Sequence, residues 1–182
     1  VALRLDIVGI VDTQQRLREL VDQLDDFSSL WEDYALTMVQ TEEEWFASDG
    51  GGTWPPLAPS TVRDKVRHGF PVDTLIREGD LLASLTNPGV AMLIGQGRST
   101  LGTFTAKTMS WGTDVKDERG REYAHFHQGV DGVTGEPHDY GTNPPERQVI
   151  PWPLPAHTQA SLEEANQRFV SEAIERSGLR AQ

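Results

Sequence analysis

Along the chain, apolar residues first recur at every second position and then at every third and fourth. Leu3, Leu5 and Ile7 alternate with Arg4 and Asp6, which predicts a strand over Val1 to Val11. Asp12 or Thr13 then offers a side-chain oxygen to cap a helix. From there the period changes: Leu17, Leu20, Leu24, Phe27, Trp31, Tyr34, Met38 and Trp45 fall on one helical stripe, with Glu19, Asp22, Asp25, Glu32 and Asp33 on the other side. Unbroken to Phe46, such a helix is about 50 Å long; a break at Ser28-Ser29 divides it in two. That length exceeds what a small domain needs, so part of the stripe is expected against a neighbouring subunit. The plainer alternative lays the helix along its own small sheet.

Asp49-Gly50-Gly51-Gly52 ends the helix, because glycine takes the left-handed cap and disfavours continuation. Trp54-Pro55-Pro56-Leu57 reads as extended chain. Ser60 is placed to cap a short basic helix over Thr61 to His68, and Asp73 to Leu85 reads as a second one that buries Leu75, Ile76, Leu81, Leu82 and Leu85. Gly79 inside it costs about 1 kcal/mol against alanine and points to a bend. Beyond Val90 the pattern turns to β: a strand over Val90 to Ile94, a turn, then a hairpin or meander within Leu101 to Thr113. Tyr123 to Gln128 reads as one or two helical turns. Residues 130–147, rich in Gly and Pro, form a long loop. Gln148 to Trp152 reads as a last strand, kept at an edge by Pro151, Pro153 and Pro155. A final helix over Ser161 to Ser177, within the stretch 159–178, gathers Leu162, Ala165, Phe169, Ala173 and Ile174 before Gly178 stops it. The expected architecture is one α+β domain over residues 1–182. A strand plus long helix occupies 1–48, and a small antiparallel β-sheet is flanked by that helix and the C-terminal helix, with extended loops.

Composition narrows the chemistry. The chain has 182 residues, 37% of them hydrophobic, which allows one ordinary domain with much polar surface turned to solvent or to other subunits. No cysteine is present, so disulfides, thiolate metal sites and cysteine nucleophiles are excluded. No apolar run approaches the roughly 20 residues of a membrane span. Val1 to Asp12 lacks the basic and apolar regions of a signal peptide, so synthesis in the cytoplasm is expected. The formal charge is −12, from 28 acidic and 16 basic residues, which disfavours a nucleic-acid grip. The densest basic stretch, Arg63, Lys65, Arg67 and His68, reads as a solvated helix face. Acidic surface of this kind suits a channel that DNA traverses without adhering.

No catalytic set assembles. His125 and His127 share a face only in a strand; in a helix they stand about 200° apart, and the segment reads helical. With His138 they define the alternative of another class, a His-dependent metal hydrolase. Glu42, Glu43 and Glu44 point around about 200° of helix and do not converge with Asp49, so a solvated or interfacial acidic rim is expected. Gly50-Gly51-Gly52 is followed by Thr53-Trp54 instead of Gly-Lys-Ser/Thr, which rules out a phosphate loop. No enzymatic activity, catalytic residue, cofactor or metal is expected.

Four phrases in order carry a resemblance: Trp54-Pro55-Pro56-Leu57-Ala58-Pro59-Ser60-Thr61, Leu75 to Leu85, Tyr123-Ala124-His125-Phe126-His127-Gln128-Gly129, and Pro144-Pro145-Glu146-Arg147-Gln148-Val149-Ile150. Together they resemble the phage virion morphogenesis, or tail completion, family of Mu-like phages and its siphophage neck relatives. Glu78 stands where that family often has Thr, and the loop after Gly129 is longer than its pattern. The resemblance implies a structural virion protein at the head–tail interface, forming a ring, usually six-fold, in the neck. Its partners would be copies of itself, the connector or stopper, the tail terminator and the tail tube, without specific nucleic-acid or membrane binding. A tail terminator or head-side stopper is the nearest alternative. Trp31, Trp45, Trp54, Tyr140 and Arg147 are the candidate interface residues.

Overall fold

The computed structural model of the protein describes residues 10–86, 102–113, 115 and 147–179. These are mostly helical. Helix α1 spans Ile10–Gln23 and α2 spans Ser28–Ala47. The single long helix is therefore two, divided where Ser28-Ser29 allowed. Asp26 causes the break: its Oδ1 accepts from the Ser28 amide at 2.9 Å and from the Ser28 hydroxyl at 2.6 Å. That contact satisfies the first free amide of α2 from outside the helix, which favours a restart over continuation. Asp12 lies in the first turn of α1 and pairs with Arg16 at 2.9 Å instead of capping from outside. Ile10 and Val11 are already helical, so a strand does not reach Val11; residues before Ile10 lie outside the described ones.

The C-terminal helix, α5, spans Ala156–Arg176 and starts five residues before Ser161, following Pro155. It runs antiparallel to α2, with Thr158 opposite Thr41, Arg168 opposite Asp33, and Phe169 beside Phe27. Leu30, Ala165 and Phe169 are buried between the two helices, and Leu24, Phe27, Trp31 and Tyr34 close the cluster. Small residues on α5, Ala165 and Ala173, allow close approach, while each large apolar side chain buried contributes about 2 kcal/mol. Among the described residues one buried polar link crosses this seam, inside the exposed pairs Arg168–Asp33 and His157–Glu44. Thr41 Oγ1 donates to Thr37 O at 2.8 Å, so its contact with Thr158 Oγ1 at 2.9 Å has Thr158 as donor. Arg16 of α1 reaches the far end of α5, where its Nη1 donates to Gly178 O at 2.7 Å. A cation at a helix C-terminus complements the unpaired carbonyls there.

A second core lies at the other end of α2. Helix α3 spans Pro59–His68, beginning at the proline and not after Ser60. Helix α4 covers only Asp80–Thr86, shorter than the helix expected from Asp73. Residues before it form turns, with Leu75 at φ 59° and Gly79 at φ 91°. The cause is Lys65, whose ammonium donates to Asp73 O at 2.6 Å and to Ile76 O. Those carbonyls are thereby drawn away from helical partners. Lys65 is buried, which corrects its expected place on a solvated face. Burial lowers its pKa from the ordinary lysine value, an effect that Asp73 opposes. Phe46, Trp54, Leu75, Leu81, Leu85 and Val149 form this core.

Strands β1 (Gly102–Phe104) and β2 (Met109–Trp111) pair antiparallel, Thr103 opposite Ser110. Among the described residues this hairpin of three residues a side stands where a sheet layer between two helices is expected. Its turn attaches to the α1–α2 junction: the Phe27 amide donates to Ala106 O at 2.8 Å, Trp31 Nε1 to Thr105 O at 3.0 Å, and Lys107 pairs with Asp25. Gln148 to Trp152 is not a strand, although Val149 and Pro151 are fully buried. Pro151 and Pro153 have no amide to donate, and the Gln148 side chain donates to Trp152 O at 2.7 Å, closing a local turn. The Val90 to Ile94 strand, the Tyr123 to Gln128 segment and all of the 130–147 loop except Arg147 lie outside the described residues.

Candidate functional site

Residues far apart in sequence converge at the C-terminal end of α2. Trp45 sits on the last turns of that helix. Trp54 returns to it because residues 49–52 all take left-handed backbone, from φ 50° at Asp49 to 79° at Gly52. The reversal brings the Trp54 amide to Asp49 O at 3.0 Å and sets the Trp54 ring edge-on to Trp45 and Phe46, with centroids 6.4 and 5.2 Å away. Both indoles donate to one carbonyl: Trp45 Nε1 to Gln148 O at 2.8 Å and Trp54 Nε1 to the same oxygen at 3.0 Å. Arg147 beside it is buried, and its Nη2 and Nε donate to Pro55 O at 3.0 and 3.3 Å. The segments Trp54-Pro55 and Arg147-Gln148 thus clasp each other through main-chain carbonyls.

Three of the five candidate interface residues, Trp45, Trp54 and Arg147, meet in this clasp. Trp31 belongs to the other end of α2, half-buried between Phe27 and Tyr34 with ring centroids 5.6 and 5.5 Å away. Tyr140 lies outside the described residues, as do His125, His127 and His138.

The unexpected member of the site is Glu42. Glu43 and Glu44 are exposed, as a solvated or interfacial rim requires, but Glu42, expected beside them, is 0% exposed. Neither of its carboxylate oxygens has a hydrogen-bond partner. The indole N–H of Trp111 on β2 lies near enough to favour the charged form, yet it completes no hydrogen bond and is itself an unsatisfied donor. Desolvation therefore dominates and raises the Glu42 pKa to about 8. Its position was legible in the helical period: residue 42 is one turn after Met38 and one turn before Phe46, both buried. Between α4 and the residues after β2, Thr113 Oγ1 donates to Ser84 Oγ at 2.6 Å, since Ser84 spends its own proton on Leu81 O at 2.7 Å.

A general acid must reach a substrate atom, and Glu42 is enclosed by its neighbours at 0% exposure. Among the described residues no three His, Cys, Asp or Glu side chains stand together as metal ligands, and no helix is long and apolar enough to cross a membrane. No protein-family model matches the chain, and no characterised protein or solved structure matches it either.

Proposed function

We propose that the chain is a structural virion protein of a tailed bacteriophage, a head–tail joining or tail-completion subunit that assembles into a ring in the neck and has no enzymatic activity. The observation that carries this reading is the convergence of its ordered phrases. Trp54 from the first phrase, Leu75, Leu81 and Leu85 from the second, and Val149 from the last pack in one core. Residues of three of the four phrases thus contribute to one packed unit, as phrases that mark a single fold are expected to do. In this reading β1 and β2 belong to the small antiparallel sheet of the expected α+β fold. The ring is homo-oligomeric, usually six-fold, and meets connector or stopper, tail terminator and tail tube. Its acidic charge lets DNA pass without a specific grip.

Imaging of virions that carry a labelled copy of this subunit tests the reading. Label concentrated between head and tail is the expected result. Label on the shaft or baseplate, or stoichiometric zinc or manganese in the purified protein that is lost with His127→Ala, would overturn it.

A further inference from the structure

We propose that the exposed face of α3 in one copy docks on the exposed face of α2 in a second copy of this chain. On α3, Val62, Arg63, Val66 and Arg67 fall on one side at helical spacing, and Val66 is 63% exposed. On α2, Glu32, Leu36 and Glu43 are exposed along one edge of the solvent side, beside the buried Val39, and Leu36 is 61% exposed. Each face therefore has a bare branched aliphatic side chain bordered by charge, and the two borders have opposite sign. Asp64, the one acid of α3, stands about 60° from Arg67 around the helix but contacts His68 at 3.3 Å and pairs with neither arginine. Among the described residues Arg63, Arg67, Glu32 and Glu43 have no ion-pair partner of their own, although Asp33 and Glu44 on α2 are engaged by Arg168 and His157.

Charge selects the partner. At a formal charge of −12, two copies repel unless a basic face meets an acidic one. Pairing α3 with α2 achieves that, whereas α2 against α2 sets Glu32 and Glu43 against like charge. Burying Val66 against Leu36 removes two of the exposed aliphatics from water, and the charged borders fix the register. Repeated from copy to copy, a contact between two different faces is the heterologous kind that closes into rings. The proposal rests on the ring reading only for that closure; the contact itself is a property of the purified chain.

Sedimentation of the full-length protein over a concentration series is the test. The parent should associate, and the association should weaken as NaCl screens the charged borders. Arg63→Glu with Arg67→Glu, and separately Glu32→Lys with Glu43→Lys, should each raise the self-association Kd at least about tenfold. These positions are exposed, so circular dichroism should show both variants folded. An equimolar mixture of the two variants should regain association, because each then offers the charge that the other lacks. A parent that stays monomeric, variants that associate like the parent, or a mixture that fails to recover would each overturn the proposal. The neck assignment is decided separately by the virion label, so the two failures are distinguishable.

Discussion

Glu42 costs the fold stability in a way that depends on pH. Below its unfolded value of 4.5 the carboxyl is neutral in both folded and unfolded chains and contributes no pH dependence. Between that value and its folded pKa of about 8, only the unfolded chain releases the proton, so unfolding gains free energy as pH rises. Each pH unit in that window removes about 1.4 kcal/mol, which reaches roughly 3 kcal/mol by neutral pH. Above the folded value both states are ionised and the loss stops. Glu42→Gln keeps the shape without the titration. Urea unfolding across this window should give a variant that matches the parent at low pH and becomes steadily more stable than it towards pH 8. Parallel pH profiles would show that Glu42 ionises freely in the folded protein.

Helix content was readable from the apolar period because each helix buries one stripe: α2 and α5 appear where that spacing predicts them. The joints were less readable, because they depend on single side-chain contacts made across the chain. Asp26 divides α1 from α2 through Ser28, and Lys65 unwinds residues 73–79 through two carbonyls; neither contact has a periodic signature. Gln148 to Trp152 alternates like a strand yet folds as a loop, because its carbonyl at Gln148 is taken by two indoles from α2 and the turn after it. That tertiary demand overrides local propensity. The glycine turn is the joint that sequence did disclose, and it makes a sharp prediction. A Cβ on Gly50 would lie 2.3 Å from Trp54 Nε1, whereas one on Gly52 meets nothing within 4 Å. Both positions have left-handed backbone, at φ 67° and 79°, so alanine incurs a similar backbone cost of about 1 kcal/mol at each. Gly50→Ala must in addition displace the Trp54 ring from Gln148, for a total of roughly 3 kcal/mol or more. Denaturant unfolding of both variants should show that gap, and equal losses would mean that Trp54 is not seated over the turn.

For the molecule as a whole, charge should act with opposite sign on folding and on assembly. The excess of acid makes the compact chain repel itself, and the repulsion is spread over exposed carboxylates on α1, α2 and α5. Screening relieves it, so dilute protein should gain stability as NaCl rises from about 20 mM to about 500 mM. A gain of about 1 kcal/mol moves Tm by roughly 2–4 °C for a chain of this length. Contact between the basic α3 face and the acidic α2 face runs the other way, because screening weakens attraction between unlike charges. Melting curves at low protein concentration and sedimentation at high concentration, in the same salt series, separate the two effects. NaCl is the appropriate salt, since sulfate would strengthen apolar burial and raise both quantities together. Should Tm and association instead fall together, self-repulsion would not govern how salt acts on the fold. If they rise together, the apolar pair Val66 and Leu36 would outweigh the charges that border it, and selection of the α3–α2 pairing by charge would fail.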